Sequence, residues 1–242
     1  MKNIEDILYK LKKDAIKNIN MMNFIKNNTI DLIEIEGESI LVRGKSDENW
    51  NYISSSSKVE LEKLIKKCDD EEYFAVIEDW MIIYICKDRG IDWKLSCIKL
   101  IFPKEKKLPK IKYKATELSI NDSEYIYCNS KYKEYTHINY IKERIEKGIG
   151  LGIYENKKLV AWIMTHDDGA IGFLNVLEDY RKKGYGYSLT LSMIERLRET
   201  GEIPFVHIEE NNIKSMNLAI KTGFVKNKRV HWIKRNNSLL RR

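Results

Sequence analysis

The stretch that decides the fold is Asn175-Val-Leu-Glu-Asp-Tyr-Arg181-Lys-Lys-Gly184-Tyr-Gly186-Tyr-Ser-Leu. An apolar strand ends here, a short polar turn follows, and an Arg-x-x-Gly-x-Gly run opens a helix. Glycines at 184 and 186 allow a ligand oxygen to approach the backbone closely. The free N–H groups of a first helical turn, with the positive end of the helix dipole, bind anions such as a diphosphate. Lys182 and Lys183 add positive charge at the same place.

The Arg-x-x-Gly-x-Gly pattern alone is equally typical of a tight turn before a glycine-started helix. It is not a P-loop, because no Lys-Ser/Thr pair follows the glycines, and it lacks the third glycine of a dinucleotide-binding fingerprint. The strands before it also indicate an antiparallel meander, with turns at Glu155-Asn156-Lys157 and Asp167-Asp168-Gly169. The predicted strands of this meander span 149–155, 158–166 and 170–177.

A second informative segment runs from Gly201 to Phe224. We predict a strand over 204–209 that begins with Pro204, then a helix over 212–222 that is capped by an asparagine and ended by a glycine. In this order and at this separation, the two segments resemble the acetyltransferase core of the GNAT superfamily. The proline-led strand before the Asn-capped helix is similar to the glycine N-acyltransferase-like branch. The resemblance covers roughly residues 111–235.

The resemblance implies an α/β (α+β) protein with the GNAT acyltransferase fold in its C-terminal half, a mixed, mostly antiparallel sheet flanked by helices. We place the GNAT domain at 111–242 and a smaller α/β domain at 1–105, with the linker Pro103-Lys-Glu-Lys-Lys-Leu-Pro109-Lys between them. The first domain carries no motif with chemistry and corresponds to the extra, degenerate GNAT-like domain of some members. Its predicted elements include a helix over 4–24, a helix over 58–67 capped from Ser55-Ser56-Ser57, and a helical or buried apolar segment over 79–86. Two strands are predicted near the end of the chain, at 224–228 and 230–235.

The resemblance also implies a cofactor site. The strand ending at Val176 would diverge from the strand at 204–209 and leave a slot for an acyl-CoA, with acetyl-CoA as the expected donor. The pantetheine arm would pair with the strand backbone, and the amides from Lys182 to Tyr187 would hold the diphosphate. Asn212 would contact the cofactor, act as a plain N-cap, or do both. The cofactor-binding residues expected on this basis are Leu174, Asn175, Val176, Arg181, Lys182, Lys183, Gly184, Tyr185, Gly186, Tyr187, Asn212 and Ser215.

Acyl transfer to an amine needs a base for the amine proton and an acid for the departing thiolate. His207 stands five residues before the asparagine, where family members that acetylate protein N-termini carry a glutamate, so it is the candidate base. A structural histidine on a half-buried strand is the alternative, and Glu209 is the runner-up base. Many members place a tyrosine seven residues after the asparagine, but this chain has Ala219 there. The proton would then come from Tyr185, Tyr187 or a water, or the thiolate would leave unassisted.

These features predict an acyl-CoA-dependent N-acyltransferase that transfers the acyl group to a primary amine by direct attack in a ternary complex. The acceptor, a small molecule or a peptide, cannot be assigned from the sequence, because its binding loops carry no transferable signature. The alanine at the tyrosine position also leaves open a different class of protein, a non-catalytic module that binds an acyl-CoA or another small molecule.

Composition bounds the other properties. The chain has 242 residues, a formal net charge of +7, 43% hydrophobic and 33% charged residues, which is typical of a globular protein. There is no apolar run of about 18 residues and no signal-peptide h-region, so we expect no membrane span and a cytoplasmic protein. The four cysteines and four histidines have no metal or disulfide spacing, so we expect buried free thiols and no metal site. The basic residues form no long run interleaved with aromatics, so we do not expect nucleic acid as a partner.

Overall fold

A computed structural model describes residues 3–68, 70–87, 89–130, 133 and 136–239, with side chains described as far as residue 236. The chain divides into two compact units. The first comprises residues 1–99, 209–211 and 227–242, and the second comprises residues 100–208 and 212–226. The domain boundaries inferred from the sequence, 1–105 and 111–242, stay a prediction.

The described chain contains both helices and strands. The helices are α1 (Ile4–Lys12), α2 (Ala15–Asn27), α3 (Lys58–Ile65), α4 (Asp79–Ile85), α5 (Ser123–Asn129), α6 (Ile138–Lys147), α7 (Tyr185–Glu199) and α8 (Ile213–Thr222). The strands are β1 (Thr29–Glu36), β2 (Ser39–Lys45), β3 (Asn49–Ser54), β4 (Tyr73–Ile77), β5 (Arg89–Ile101), β6 (Thr116–Glu117), β7 (Gly150–Glu155), β8 (Lys158–Thr165), β9 (Ile171–Val176), β10 (Phe205–Glu209) and β11 (Val225–Leu239). No helix of the described chain combines the length and the apolar character that crossing a membrane requires.

In the first unit, the strands lie in the order β1-β2-β3-β4-β11-β5. The pairs β1–β2, β2–β3 and β4–β11 are antiparallel, and β3–β4 is parallel. Because side chains alternate along a strand, Ile40 and Val42 pack against α1 and α2 while Leu41 packs against α3 and α4. Helices therefore cover both faces of this sheet. His231, on β11, joins Ser96 of β5 to Asp79 of α4, with ring nitrogens 2.9 Å and 3.0 Å from their oxygens.

Three sequence predictions need correction. The helix predicted over 4–24 is two helices, because the Asp14 side chain accepts a hydrogen bond from Lys17 N and starts α2 as a new helix. The two strands predicted near the end are one continuous strand, β11, since no glycine or proline between 224 and 235 breaks it and a register shift near His231 is absorbed in the pairing. Buried free thiols were expected, but Cys86 is half-buried and Cys128, which lies in the second unit, is exposed. The cap predicted before α3 is confirmed, because the Ser57 side chain accepts from Glu60 N.

In the second unit, the strands lie in the order β10-β9-β8-β7-β6. The meander β7-β8-β9 is antiparallel, as predicted, and its first turn places Asn156 and Lys157 at positive φ of 49° and 66°, as a two-residue hairpin requires. Helices α5 and α6 pack on one face through Ile126, Ile141 and Trp162. Helix α7 packs against β7, β8 and β9. Residues 177–184 connect the end of β9 to the start of α7, and the expected site lies at this connection.

Candidate functional site

Strand β9 has one open edge. On one side it pairs with β8 along its length, from Ile171 opposite Thr165 to Val176 opposite Ala161. On the other side the described residues show a single register position with β10, Val206 opposite Ile171. Beyond that point residues 172–177 are all half-buried, whereas β8 is buried from residue 159 to its end. The two parallel strands therefore part toward their C-terminal ends, as the sequence analysis predicted.

A β-bulge lies where β9 leaves β10. The β8–β9 register shifts between Trp162 and Met164, and on the facing part of β9 Phe173 adopts a positive φ of 53°. A non-glycine residue in this conformation costs about 1–3 kcal/mol and persists only where its surroundings hold it. The Phe173 ring packs 4.7 Å from that of His166 and 6.0 Å from that of Tyr140, centroid to centroid. Such bulges bend a strand and often lie next to active sites.

The turn between β9 and α7 is built to expose backbone N–H groups. Arg181 Nε donates to the Val176 carbonyl at 3.1 Å, and its Nη1 lies 3.2 Å from Glu178 Oε1, so this side chain ties the turn to the end of β9. Lys182 and Gly184 have positive φ values of 61° and 98°. The bond from Ser188 N to Gly184 O begins the helical ladder, so the N–H groups before it have no acceptor within the helix. Free N–H groups of this kind, together with the positive end of a helix dipole, attract anions.

Gly186 places the start of α7 against side chains at the end of β9. A Cβ atom built on Gly186 would lie 3.7 Å from Val176 Cγ2, 3.9 Å from Leu174 Cδ2 and 3.7 Å from Leu218 Cδ2 of α8. The structure therefore brings together the end of β9, the glycine turn and α8. Asn175 points elsewhere, because its Nδ2 donates to the Asn129 carbonyl at the end of α5, at 3.4 Å.

Helix α8 begins as the sequence indicated. Asn212 is its N-cap, and its Oδ1 accepts a hydrogen bond from Ser215 N at 3.2 Å. The N-cap interpretation is thus confirmed, and a contact of either residue with a cofactor stays a prediction. Ala219 is 4% exposed, so no hydroxyl is available at that position. Tyr185 is 3% exposed, which does not favour its role as an acid, while Tyr187 is half-buried.

The two candidate bases differ in their surroundings. His207 is half-buried on β10, directly after the residue that pairs with β9, and its ring meets Phe205 edge to face at 5.5 Å. Glu209 ends the same strand and belongs to the first unit. Burial and then the charge of Glu209 raise the pKa of Cys97 to about 12, so this carboxylate lies near Cys97. Both base assignments stay predictions.

Among the described residues of the first unit, no comparable opening lies between the parallel strands β3 and β4. Its parallel strands β3 and β4 pair at three consecutive positions, and the cavity at their end has a volume of about 20 Å³, enough for one water. Lys17 Nζ bridges the following turn, 2.8 Å from both Ser55 O and Ser56 Oγ. In the part of the chain that the structure describes, no three His, Cys, Asp or Glu side chains gather closely enough to hold a metal ion.

Comparison with known proteins agrees with this geometry. The sequence profile of the family described as FR47-like protein matches residues 149–233. No curated protein sequence matches the chain. Among solved structures, a Drosophila protein is 17% identical with a TM-score of 0.78, and 97% of this chain covers 96% of that one. A GCN5-related N-acetyltransferase-like protein from Streptococcus suis is 15% identical with a TM-score of 0.56 and coverage of 97% and 100%. A GCN5-related N-acetyltransferase from Kribbella flavida is 11% identical with a TM-score of 0.57 and coverage of 91% and 94%.

The chain has the fold of the GNAT acetyltransferases. The fold class inferred from the sequence, a mixed and mostly antiparallel sheet flanked by helices, is therefore confirmed. The profile match spans the meander, the glycine turn, β10 and α8, and so contains all the expected cofactor-binding residues. At identities of 11–17%, the likeness to these structures shows the fold alone. The reaction therefore has to be argued from the site.

Proposed function

We propose that the protein is an N-acyltransferase that transfers an acyl group, acetyl in the simplest case, from acyl-CoA to a primary amine. The observation that carries this proposal is the open edge of β9 beside the glycine turn that starts α7. The amides of a pantetheine arm can add to a strand edge as a further strand does. The diphosphate suits the N–H groups and dipole of a long helix.

The chemical character of the site fits such a ligand. Leu174, Val176 and Leu218 surround the position of a Gly186 Cβ and give an apolar wall for the pantetheine arm. The exposed Lys182 and Lys183 place positive charge beside the turn for the phosphate groups of the ligand. The positive charge at the glycine turn and the apolar side chains beside it therefore suit an elongated ligand with an anionic end and a partly apolar arm.

The proposed reaction is direct attack of the amine nitrogen on the thioester carbonyl carbon. The C–N bond forms, the C–S bond breaks, the amine loses a proton to a base, and CoA leaves as the thiol. His207 is the proposed base, because it lies on the strand that parts from β9 and because a neutral imidazole can accept a proton. Because Ala219 supplies no hydroxyl, the thiolate takes its proton from Tyr187, Tyr185 or water, or leaves unassisted. A thiol pKa near 8.5 makes the thiolate a tolerable leaving group.

A covalent acyl-enzyme on Cys97 is not part of this proposal. Burial raises the pKa of this thiol to about 12, and the protonated form is a poor nucleophile. The acyl group would then pass to the amine in one transfer within a ternary complex.

The test is thiol release from acetyl-CoA and longer acyl-CoAs with a panel of amino acids, polyamines and peptides. We expect amine-dependent release in the wild type, and at least a tenfold loss of kcat in His207→Ala with CoA affinity retained. Glu209→Gln is the matched variant for the runner-up base and should keep most activity. The exposed Cys128 must be replaced by serine in every sample, because it would react with thiol reagents itself.

The second candidate function is a module that binds an acyl-CoA without transferring the group. The buried alanine at position 219 is the observation that favours it. Tight CoA binding with no turnover on any amine, unaffected by His207→Ala, would support this function and remove the enzymatic one.

Two finer assignments belong to the same proposal. We place the chain in the glycine N-acyltransferase-like branch because Pro204 leads β10, with its carbonyl accepting from Phe102 N at 2.9 Å. We also propose that the first unit is a degenerate GNAT-like copy, which its parallel pair β3–β4 with the intervening α3 supports. Glycine as the preferred acceptor in the amine panel would support the branch, and no transfer to any amino acid would contradict it.

A further inference from the structure

A segment that contains the predicted linker, residues 103–110, is attached along helix α7. This segment, residues 103–114, is called the strap below. Near the C-terminal end of α7, Arg198 donates to the carbonyls of Pro103, Lys104 and Lys106 at 2.7–2.8 Å. Near the N-terminal end of α7, Tyr113 N donates to the hydroxyl of Ser188 at 3.3 Å. The strap therefore runs along α7 from its end to its beginning.

The end of the strap rests on the glycine turn. The Tyr113 ring lies 4.5 Å from the Tyr185 ring, and the Tyr180 ring lies 6.5 Å from that of Tyr185 on the far side of the cluster. Tyr113 Cε2 is 3.7 Å from the position of a Cβ on Gly184. Because Ser188 is fully buried, the bond to its hydroxyl fixes the strap to a rigid part of α7.

Two lysines flank this tyrosine cluster. Lys112 Nζ lies 4.9 Å from the centroid of the Tyr113 ring, and Lys183 Nζ lies 4.8 Å from that of Tyr180. Both side chains are exposed, and neither forms an ion pair with a described residue. Aromatic faces attract ammonium groups, so each ring biases its lysine toward the glycine turn. The result is two available positive charges beside the glycine turn.

We propose that the strap is part of the nucleotide site and that Lys112, with Lys183, binds the 3′-phosphate of CoA. This inference rests on the proposed function. The backbone N–H groups of the turn would serve the diphosphate, which leaves the phosphomonoester of the ligand without a partner in the site described above. A phosphomonoester carries a charge between −1.5 and −2 near pH 7, and lysine binds phosphate as a point charge. Tyr113 acts as a positioning residue that holds Lys112 at the turn.

The test compares CoA with 3′-dephospho-CoA by isothermal titration calorimetry on the full chain. We expect the wild type to bind CoA more tightly than 3′-dephospho-CoA. Lys112→Ala should weaken CoA binding by about fivefold and leave the affinity for 3′-dephospho-CoA unchanged, since an exposed ion pair contributes little more than this. Lys112→Arg should restore most of the lost affinity. The matched control is Lys114→Ala, also an exposed lysine of the strap, which should bind both ligands as the wild type does.

The remaining outcomes contradict the inference. Lys112 does not recognise the 3′-phosphate if Lys112→Ala lowers the affinity for CoA and for 3′-dephospho-CoA equally, or lowers neither. The same conclusion follows if Lys114→Ala lowers the affinity for CoA as much as Lys112→Ala does. If the wild type binds both ligands equally while it still binds CoA, the inference fails and the proposed function stands. If the wild type binds neither ligand, the proposed function fails together with the inference.

Discussion

Replacement of Gly186 by aspartate tests the proposed diphosphate site with little risk to the fold. Gly186 is the second residue of α7, and a Cβ there would meet its neighbours at 3.7–3.9 Å, which is ordinary van der Waals contact. An aspartate in the first turn of a helix stabilises it by about 0.3–1 kcal/mol through the helix dipole. We therefore expect Gly186→Asp to fold, with the gain from the helix dipole offset in part by the contact of the new side chain with apolar neighbours.

The negative charge of the same carboxylate should repel the bound diphosphate. A unit negative charge at about 6 Å from a doubly charged group costs about 1.4 kcal/mol at the dielectric constant of water and about 5.5 kcal/mol at an effective value of 20. The lower figure already corresponds to about a tenfold loss of affinity. We expect the loss of CoA affinity in Gly186→Asp to fall between these limits and to shrink as salt is added.

Gly186→Asn is the matched control, because asparagine has nearly the shape of aspartate without its charge. CoA affinity is measured by calorimetry for the wild type and both variants, with thermal unfolding of each as a check on the fold. The predicted order is wild type, then Gly186→Asn, then Gly186→Asp, with at least about a tenfold gap between the two variants. Equal affinities of the aspartate and asparagine variants would show that no anion lies near this turn.

Three further predictions concern stability and capping. Gly184→Ala should lower the free energy of unfolding in urea by about 1–2 kcal/mol, because φ is 98° there, whereas Gly186→Ala should not; equal effects would contradict the left-handed assignment. Asn212→Ser should keep the cap of α8, while Asn212→Ala should lose about 1 kcal/mol of stability; weaker CoA binding by the well-capped serine variant would show that Asn212 also contacts the cofactor. Cys97, with its pKa raised from 9.0 to about 12, favours the folded state below pH 9.0, and this contribution is lost as the pH rises toward 12. Unfolding free energies at about pH 8 and pH 10 should therefore differ by roughly 1 kcal/mol more in the wild type than in Cys97→Ala, and equal differences would place this thiol in a water-like environment.

Local signals in the sequence predicted the parts of the fold that depend on neighbouring residues. The turn at Asn156-Lys157, the cap at Ser57 and the glycine that ends α8 each rest on backbone preferences that act over a few residues. The Asp14 cap carried the same kind of signal, but the apolar periodicity on both sides of it favoured one long helix. Whether the Asp14 cap or the apolar periodicity decides the structure could be judged only from the packing of α1 and α2.

Features that depend on pairing between distant segments were beyond such patterns. The bulge at Phe173 arises from the register of β9 against β8. Nothing in the residue types at this position predicts a phenylalanine at positive φ. The strap is similar, because Lys-Ile-Lys-Tyr-Lys after the second proline looks like a solvated linker until Tyr113 is seen on the glycine turn. The expected cofactor residues lay within two segments whose order and spacing indicated the fold. The position of the site along the chain was therefore predictable, while the residues from other segments that surround it were not.

The most direct measurement is a crystal structure of the full chain with CoA. We predict that the diphosphate lies within hydrogen-bond distance of backbone N–H groups between Lys182 and Tyr187. We also predict that the pantetheine arm lies along the edge of β9 that faces away from β8. A CoA bound elsewhere, or β9 and β10 paired along their whole length in that crystal, would contradict it.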